Sequence, residues 1–268
     1  MEDLIHLFGE RGFDGFFASW FPGEDITSFQ KAADESNMLF QSVHAPFGKA
    51  QDMWKEETDL SGAAVDELNL CLEQCAKVEV PILVVHAYRG FTKPNPTAVG
   101  IDNFGKVVQR AEQLGVQIAF ENTEGEEYLD ALMSAFRDCR HVGFCWDSGH
   151  EMCYNKGRNM LASYGDRLLS THLNDNLGIR DILGEKITSR DDLHLLPFDG
   201  IADWDFVASE LVRCDFTDTL TFELLNESKP NRHENDRYQA MPLEDYLTEA
   251  YMRATRVGAM VQRKAQQK

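Results

Sequence analysis

Seven short runs rich in β-branched and aromatic residues recur along the chain, at residues 13–19, 38–44, 82–86, 117–121, 142–147, 168–173 and 220–224. Around them lie eight longer stretches with helical spacing, at 3–11, 26–36, 63–77, 98–114, 126–137, 158–164, 204–212 and 243–262. Strands joined through helices pair in parallel, because a crossover helix carries the chain back to the same end of the sheet before the next strand begins. Sustained over 268 residues, the alternation predicts an α/β fold, an eightfold (β/α) barrel formed as one domain over residues 1–268. Eightfold closure needs one strand more than the sequence offers. The chain opens with a helix where a strand is expected, so the barrel is predicted to lack or replace its first strand.

Composition narrows the partners. The formal charge of −19 repels phosphate backbones over most of the surface, so nucleic acid is not expected as a partner. No segment approaches the roughly 20 uninterrupted apolar residues of a membrane span, and the opening Met1-Glu2-Asp3 has no basic export-signal character. A cytoplasmic location is the expectation. Six cysteines without framework spacing fit a reduced protein, and Cys71 and Cys75, four apart on a predicted helix, read as buried structural residues. The acidic run of Glu124, Glu126 and Glu127 reads as solvated surface. The helical stretch 243–262 packs either on the barrel or on a second copy of the chain, which leaves a homo-oligomer open.

The residues at the strand ends carry the chemistry. His44, His86, Glu121, Asp147, His172 and Glu223 each stand at or beside the carboxyl end of a predicted strand, where the strands of a parallel barrel converge on one mouth. His150, Asp192 and His194 follow in the loops. A lone histidine at a strand end is commonly a satisfied structural residue, but five of the eight histidines fall in this pattern. His6, His141 and His233 do not, and read as structural. Bringing Glu121, Asp147 and Glu223 together at one buried end carries heavy desolvation and like-charge costs unless a cation offsets them, which points to a metal site.

The segment His172-Leu173-Asn174-Asp175-Asn176, followed by Asp192-Leu193-His194-Leu195-Leu196-Pro197-Phe198-Asp199-Gly200 and Asp203-Trp204, resembles the xylose isomerase-like TIM barrel superfamily. Glu121-Asn122, Asp147-Ser148-Gly149-His150 and Glu223 occur in the order that the superfamily expects. The resemblance is to its sugar phosphate isomerase/epimerase branch, with endonuclease IV a more distant relative. It implies that Glu121, Asp147, His172 and Glu223 hold the principal divalent ion. His44 and His86 would complete a second site with Glu121, and His150, Asp192 and His194 a third, which leaves the metal count open; without a third ion, His150 is instead a candidate to hydrogen-bond a substrate oxygen. Mixed carboxylate and imidazole ligands suit Mn, Zn, Co or Mg, and ligand type does not choose among them. Phe198 departs from the pattern, standing where many relatives have glycine.

A cation gripping the carbonyl and adjacent hydroxyl of a sugar or sugar phosphate acidifies the C–H between them, and Glu121 and Glu223 are the carboxylates placed to take and return that proton. Return to the opposite face is epimerisation; return to the neighbouring carbon is isomerisation. Arg180 is a candidate anchor for a substrate carboxylate or phosphate. Trp20 and Phe47, after strand ends, serve either to stack on a sugar or to pack the fold. Two other readings remain: an endonuclease IV-like metal-dependent phosphodiesterase using the full ligand set, against which the charge argues, and a non-catalytic metal- or sugar-binding barrel.

Overall fold

The computed structural model describes residues 1–92, 95–179 and 187–268, so Arg180 lies outside the described residues. Among these, six strands form one sheet in sequence order: β1 (Gly15–Ser19), β2 (Leu39–His44), β3 (Ile82–His86), β4 (Gln117–Glu121), β5 (Val142–Asp147) and β6 (Leu168–His172). Every neighbouring pair is parallel. The helices are α1 (Glu2–Arg11), α2 (Thr27–Glu35), α3 (Thr58–Lys77), α4 (Ala98–Leu114), α5 (Glu126–Ala135), α6 (Ser148–Cys153), α7 (Met160–Tyr164), α8 (Trp204–Arg213), α9 (Asp236–Gln239) and α10 (Leu243–Ala265). The sequence reading did not anticipate α6 or α9. No helix among the described residues is long and apolar enough to cross a membrane.

Local chemistry sets the helix boundaries. The Thr97 hydroxyl caps α4 by accepting from the Gly100 N–H, and Gly115, at φ 72°, ends that helix in the left-handed conformation that glycine adopts without penalty. The Asp203 carboxylate caps α8, accepting from the Asp205 and Phe206 amides. All six cysteines are free, and Cys71 and Cys75 are buried in the core with α3.

The sheet is curled. Phe17 of β1 stacks on His172 of β6 with ring centroids 4.8 Å apart, and Gln41 of β2 donates to the Ser170 hydroxyl of β6 at 3.2 Å. These contacts join strands at opposite ends of the sheet order, so the interior is closed across by side chains. Small residues line part of it: Ile82, Val84, Ala119 and Cys145 form one buried cluster against Leu169. The other faces of these strands, with Leu83, Val85, Ile118, Phe120, Phe144 and Trp146, join the large core shared with the helices.

The seventh predicted strand, 220–224, is reduced to one parallel bridge between Leu173 and Phe222. The Leu173 N–H donates to Thr221 O at 2.8 Å and the Glu223 N–H to Leu173 O at 3.2 Å. Beyond that bridge the backbone turns to the loop of His194, whose carbonyl accepts the Leu225 N–H, so the pairing that would lengthen the strand goes elsewhere. The two ends of the sheet meet through packing: Leu224 and Phe13 join Leu4, Leu7 and Phe8 of α1 and Tyr246, Leu247 and Ala250 of α10 in a second core cluster. Apolar burial, worth roughly 25 cal/mol per Å², holds these segments together there.

Candidate metal centre

Register places the candidate ligands side by side. His86 pairs with Glu121 across β3 and β4, and Asp147 with His172 across β5 and β6. Glu223 follows on the bridge beside β6, so Glu121, Asp147, His172 and Glu223 come from consecutive positions around the curl. One ligand atom of each lies within 4.8 Å of the others. The same holds for His44, Glu121 and His172, and for His150, Asp192 and His194. The structure thus assembles the two loop histidines and Asp192 beside the strand-end residues.

Glu121 is the hub. Its side chain is fully buried; Oε1 lies 2.8 Å from His172 Nδ1, while Oε2 lies 3.0 Å from His86 Nε2 and 3.3 Å from His44 Nε2. Glu223 Oε2 approaches the same His172 Nδ1 at 3.1 Å, and its side chain alone among the four principal residues is part exposed, at 27%. The second loop joins through a short antiparallel bridge between Asp175 and Leu195, which sets Asp192 and His194 beside the mouth. His194 sits at φ 47°, a left-handed conformation uncommon outside glycine.

Three histidines share an orientation that suits cation binding. Nδ1 of His44 lies 2.8 Å from Ala45 O, Nδ1 of His150 3.0 Å from Asn122 O, and Nδ1 of His194 3.1 Å from Glu223 O. A carbonyl only accepts, so in each ring Nδ1 carries a proton and the neutral form turns the Nε2 lone pair inward. Those lone pairs face carboxylate oxygens: Glu121 Oε2 for His44, Asp192 Oδ1 at 3.4 Å for His150, and Asp192 Oδ2 at 2.9 Å for His194. Asp192 Oδ1 is buried and has no hydrogen-bond donor of good geometry among the described residues. Acceptor facing acceptor is repulsive unless a proton or a cation lies between, so the residues fit a divalent cation, with the carbonyls as the outer anchors that metal-binding imidazoles require.

Without a cation, protons fill that role. Burial favours neutral imidazole, yet the charges of Asp192 and Glu223 hold His194 up to about 9, and neighbouring carboxylates hold His150 well above the ordinary histidine range. His172 is likewise raised against burial, beside Cys145, Glu121 and Glu223. Burial resists ionisation of Glu121 and Glu223, but the charge of His172 outweighs it; Glu121 falls well below the carboxylate range and Glu223 to about 2. Burial pushes Asp147 up to about 6. A cation entering at pH 7.5 must displace protons held by His194, His150 and His172. Calorimetric titration of the metal-free protein in buffers of different ionisation enthalpy is expected to record about one or more protons released per cation, with affinity rising roughly tenfold per pH unit for each proton displaced, up to about pH 9. Binding heats that do not vary with buffer would refute this.

Residues to which the sequence assigns no role hold the candidate ligands in place. The Asn174 amide donates to both oxygens of Asp147, at 3.1 and 3.0 Å. Asn122 brackets the Asp147 backbone, donating to its carbonyl and accepting its N–H at 2.8 Å each. Gly149 makes room: a Cβ there would lie 1.9 Å from Asn174 Oδ1. The readable signal is an amide two residues beyond His172 and a glycine two beyond Asp147. Lys229 also reaches the rim, 3.7 Å from Asp192 Oδ2. Trp20 is buried, and its indole donates to Glu24 O, a packing role.

A parallel (β/α) barrel with carboxylates and imidazoles gathered at the carboxyl ends of its strands defines the class. The chain belongs to the xylose isomerase-like TIM barrel family, whose model matches residues 5–243. It is 32% identical over 164 residues to uncharacterized protein y4fM of Sinorhizobium fredii (strain NBRC 101917 / NGR234), covering 57% of this chain and 49% of the relative, so the chain spans about half the length of the curated relative it matches. Among solved structures it resembles D-psicose 3-epimerase of Clostridium cellulolyticum H10, solved with D-tagatose, at TM-score 0.74 and 14% identity, covering 97% of this chain and 93% of that one. The IOLI protein, solved with a zinc atom, is similar at TM-score 0.72 and 17% identity, covering 95% and 92%. At these identities the likeness is one of fold.

Proposed function

We propose that the chain is a divalent-metal-dependent isomerase or epimerase of a sugar or sugar phosphate, with Glu121, Asp147, His172 and Glu223 as its principal cation ligands. The observation that carries this reading is the approach of two carboxylates, from Glu121 and Glu223, to one side of His172 at 2.8 and 3.1 Å. Bound there, a cation would polarise a carbonyl and its neighbouring hydroxyl and acidify the C–H between them. Both oxygens of Glu121 are engaged by imidazoles, whereas Glu223 is open to the mouth. Glu223 therefore meets the substrate carbon first and takes the proton; Glu121 is the second carboxylate, placed to return it. Proton return to the same carbon's other face gives an epimer, and return to the adjacent carbon gives the isomer. The relatives solved as a sugar epimerase and with zinc support the reading through the shared fold.

A second reading, a metal-dependent phosphodiesterase, is favoured by the contiguous His150–Asp192–His194 cluster, since adjacent cations stabilise both oxygens of a phosphoester displacement. The charge of −19 opposes a nucleic-acid substrate.

Metal analysis of the purified protein, followed by deuterium uptake from D₂O into a panel of ketoses and their phosphates, separates the two. The first reading expects tightly held divalent cation and exchange into at least one sugar, lost on chelation and restored by the cation. Bound cation with phosphodiester cleavage and no exchange selects the second. A protein that takes up no cation removes both.

A further inference from the structure

His86 is held differently from the three inward-facing histidines that are anchored through Nδ1. His44, His150 and His194 each have their ring rotation set by an Nδ1–H bond to a backbone carbonyl. The Nδ1 of His86 is buried with no hydrogen-bond partner among the described residues, yet its Nε2 lies 3.0 Å from Glu121 Oε2. A ring with one polar contact is free to tilt about it unless packing prevents this.

The packing comes from Phe47. Its ring lies nearly parallel to His86, with centroids 4.6 Å apart and planes at 12°, and meets His44 edge-on at 5.7 Å and 80°. The Arg89 guanidinium carbon stands 4.9 Å from the Phe47 centroid. The guanidinium packs over the ring as a cation–π partner, beside the parallel imidazole.

We propose that Phe47, backed by Arg89, is the positioning residue for His86: the flat stack does for this ring what a carbonyl does for the other three. It holds Nε2 on Glu121 Oε2 and so completes a second cation position from His44, His86 and Glu121. The second half of the proposal rests on the reading of Glu121 as a cation ligand; the first half does not. Loss of such an outer support lowers metal affinity by about 10–100-fold.

Phe47→Leu keeps an apolar side chain at a part-exposed position and removes the flat face, Phe47→Tyr restores the face, and His86→Gln assigns the signals. In the metal-free protein, ¹⁵N NMR of the imidazole nitrogens is expected to show His86 shifted or broadened in Phe47→Leu, unchanged signals for His150 and His194, and recovery in Phe47→Tyr. In a Co²⁺ titration, Phe47→Leu is expected to weaken the second equivalent by about 10–100-fold, leave the first within about twofold, and recover in Phe47→Tyr. Unaltered His86 signals in Phe47→Leu overturn the clamp, as does equal weakening of both equivalents, the mark of a general structural effect. Responsive His86 signals in a wild-type protein that takes up only one Co²⁺ sustain the clamp and overturn the second cation position, and uptake of none overturns the metal reading itself.

Discussion

Glu223→Gln is expected to reduce deuterium exchange into the substrate by about 10²–10⁴-fold while the protein still binds a cation, because the amide keeps an oxygen for coordination but cannot accept the proton. Glu121→Gln is expected to remove both properties. The two carboxylates differ in their surroundings: Glu121 is fully buried with imidazoles on both oxygens, whereas Glu223 shares only His172 closely and opens to the mouth. An amide at position 121 turns an NH₂, which cannot coordinate a cation, towards either His172 or the His44–His86 pair, and no negative charge remains to offset the cation. Breaking a buried charge pair costs about 3–5 kcal/mol, equivalent to roughly a hundred- to several-thousandfold in affinity. Metal content and exchange, measured on the same preparations, make the comparison. Full exchange in Glu223→Gln would remove that residue from proton transfer, and undiminished metal in Glu121→Gln would displace it as the hub.

Asp175→Ala is expected to be among the most destabilising single changes in the chain, although Asp175 is not a candidate ligand. Its fully buried carboxylate accepts four donors: the Asn176 and Ala202 amides on Oδ1, at 2.8 and 2.9 Å, and the Phe198 amide and Trp204 indole on Oδ2, at 2.8 and 3.0 Å. Each buried donor left without an acceptor costs about 1–3 kcal/mol, so even partial relaxation leaves a loss of about 4 kcal/mol. At about 2–4 °C per kcal/mol for a chain of this order of size, Tm falls by about 10 °C. The Asp175 backbone also pairs with Leu195, and through it the loop carrying Asp192 and His194 is placed, so the third cluster should loosen as well. Calorimetry and denaturant unfolding would check this, and a Tm shift of less than about 2 °C would contradict it. Gly200 is part of the same construction, since a Cβ there would lie 2.2 Å from Asp175 Oδ1.

Phe198 illustrates how such a loop accommodates a departure from pattern. It adopts φ 73°, a conformation costly for a side-chain-bearing residue, yet its ring packs near Trp204, with the Arg256 guanidinium 3.9 Å from its centroid. Its amide donates to Asp175 Oδ2 at 2.8 Å.

The candidate ligands were legible because strand periodicity and barrel geometry act locally: a run such as Ile82–His86 alternates its faces, and its last residue must emerge at the carboxyl end whatever the rest of the chain does. The parallel order of β1 to β6 follows from the same local alternation of strand and helix. The run 220–224 reads as a full strand in sequence, but strand length depends on what lies at the far edge, and here the His194 loop takes the pairing. Closure between Phe13 and Leu224 by side chains of α1 and α10 could not be read either, since it is a contact between residues more than two hundred apart. Sequence alone thus determined which residues could carry the chemistry and at which end of the sheet they stand. Tertiary structure decided which imidazole nitrogen faces which carboxylate, how Asn174 and Asp175 hold the ligands, and why Phe47 lies against His86, because ring rotations and buried hydrogen bonds are fixed only by neighbours that folding brings together.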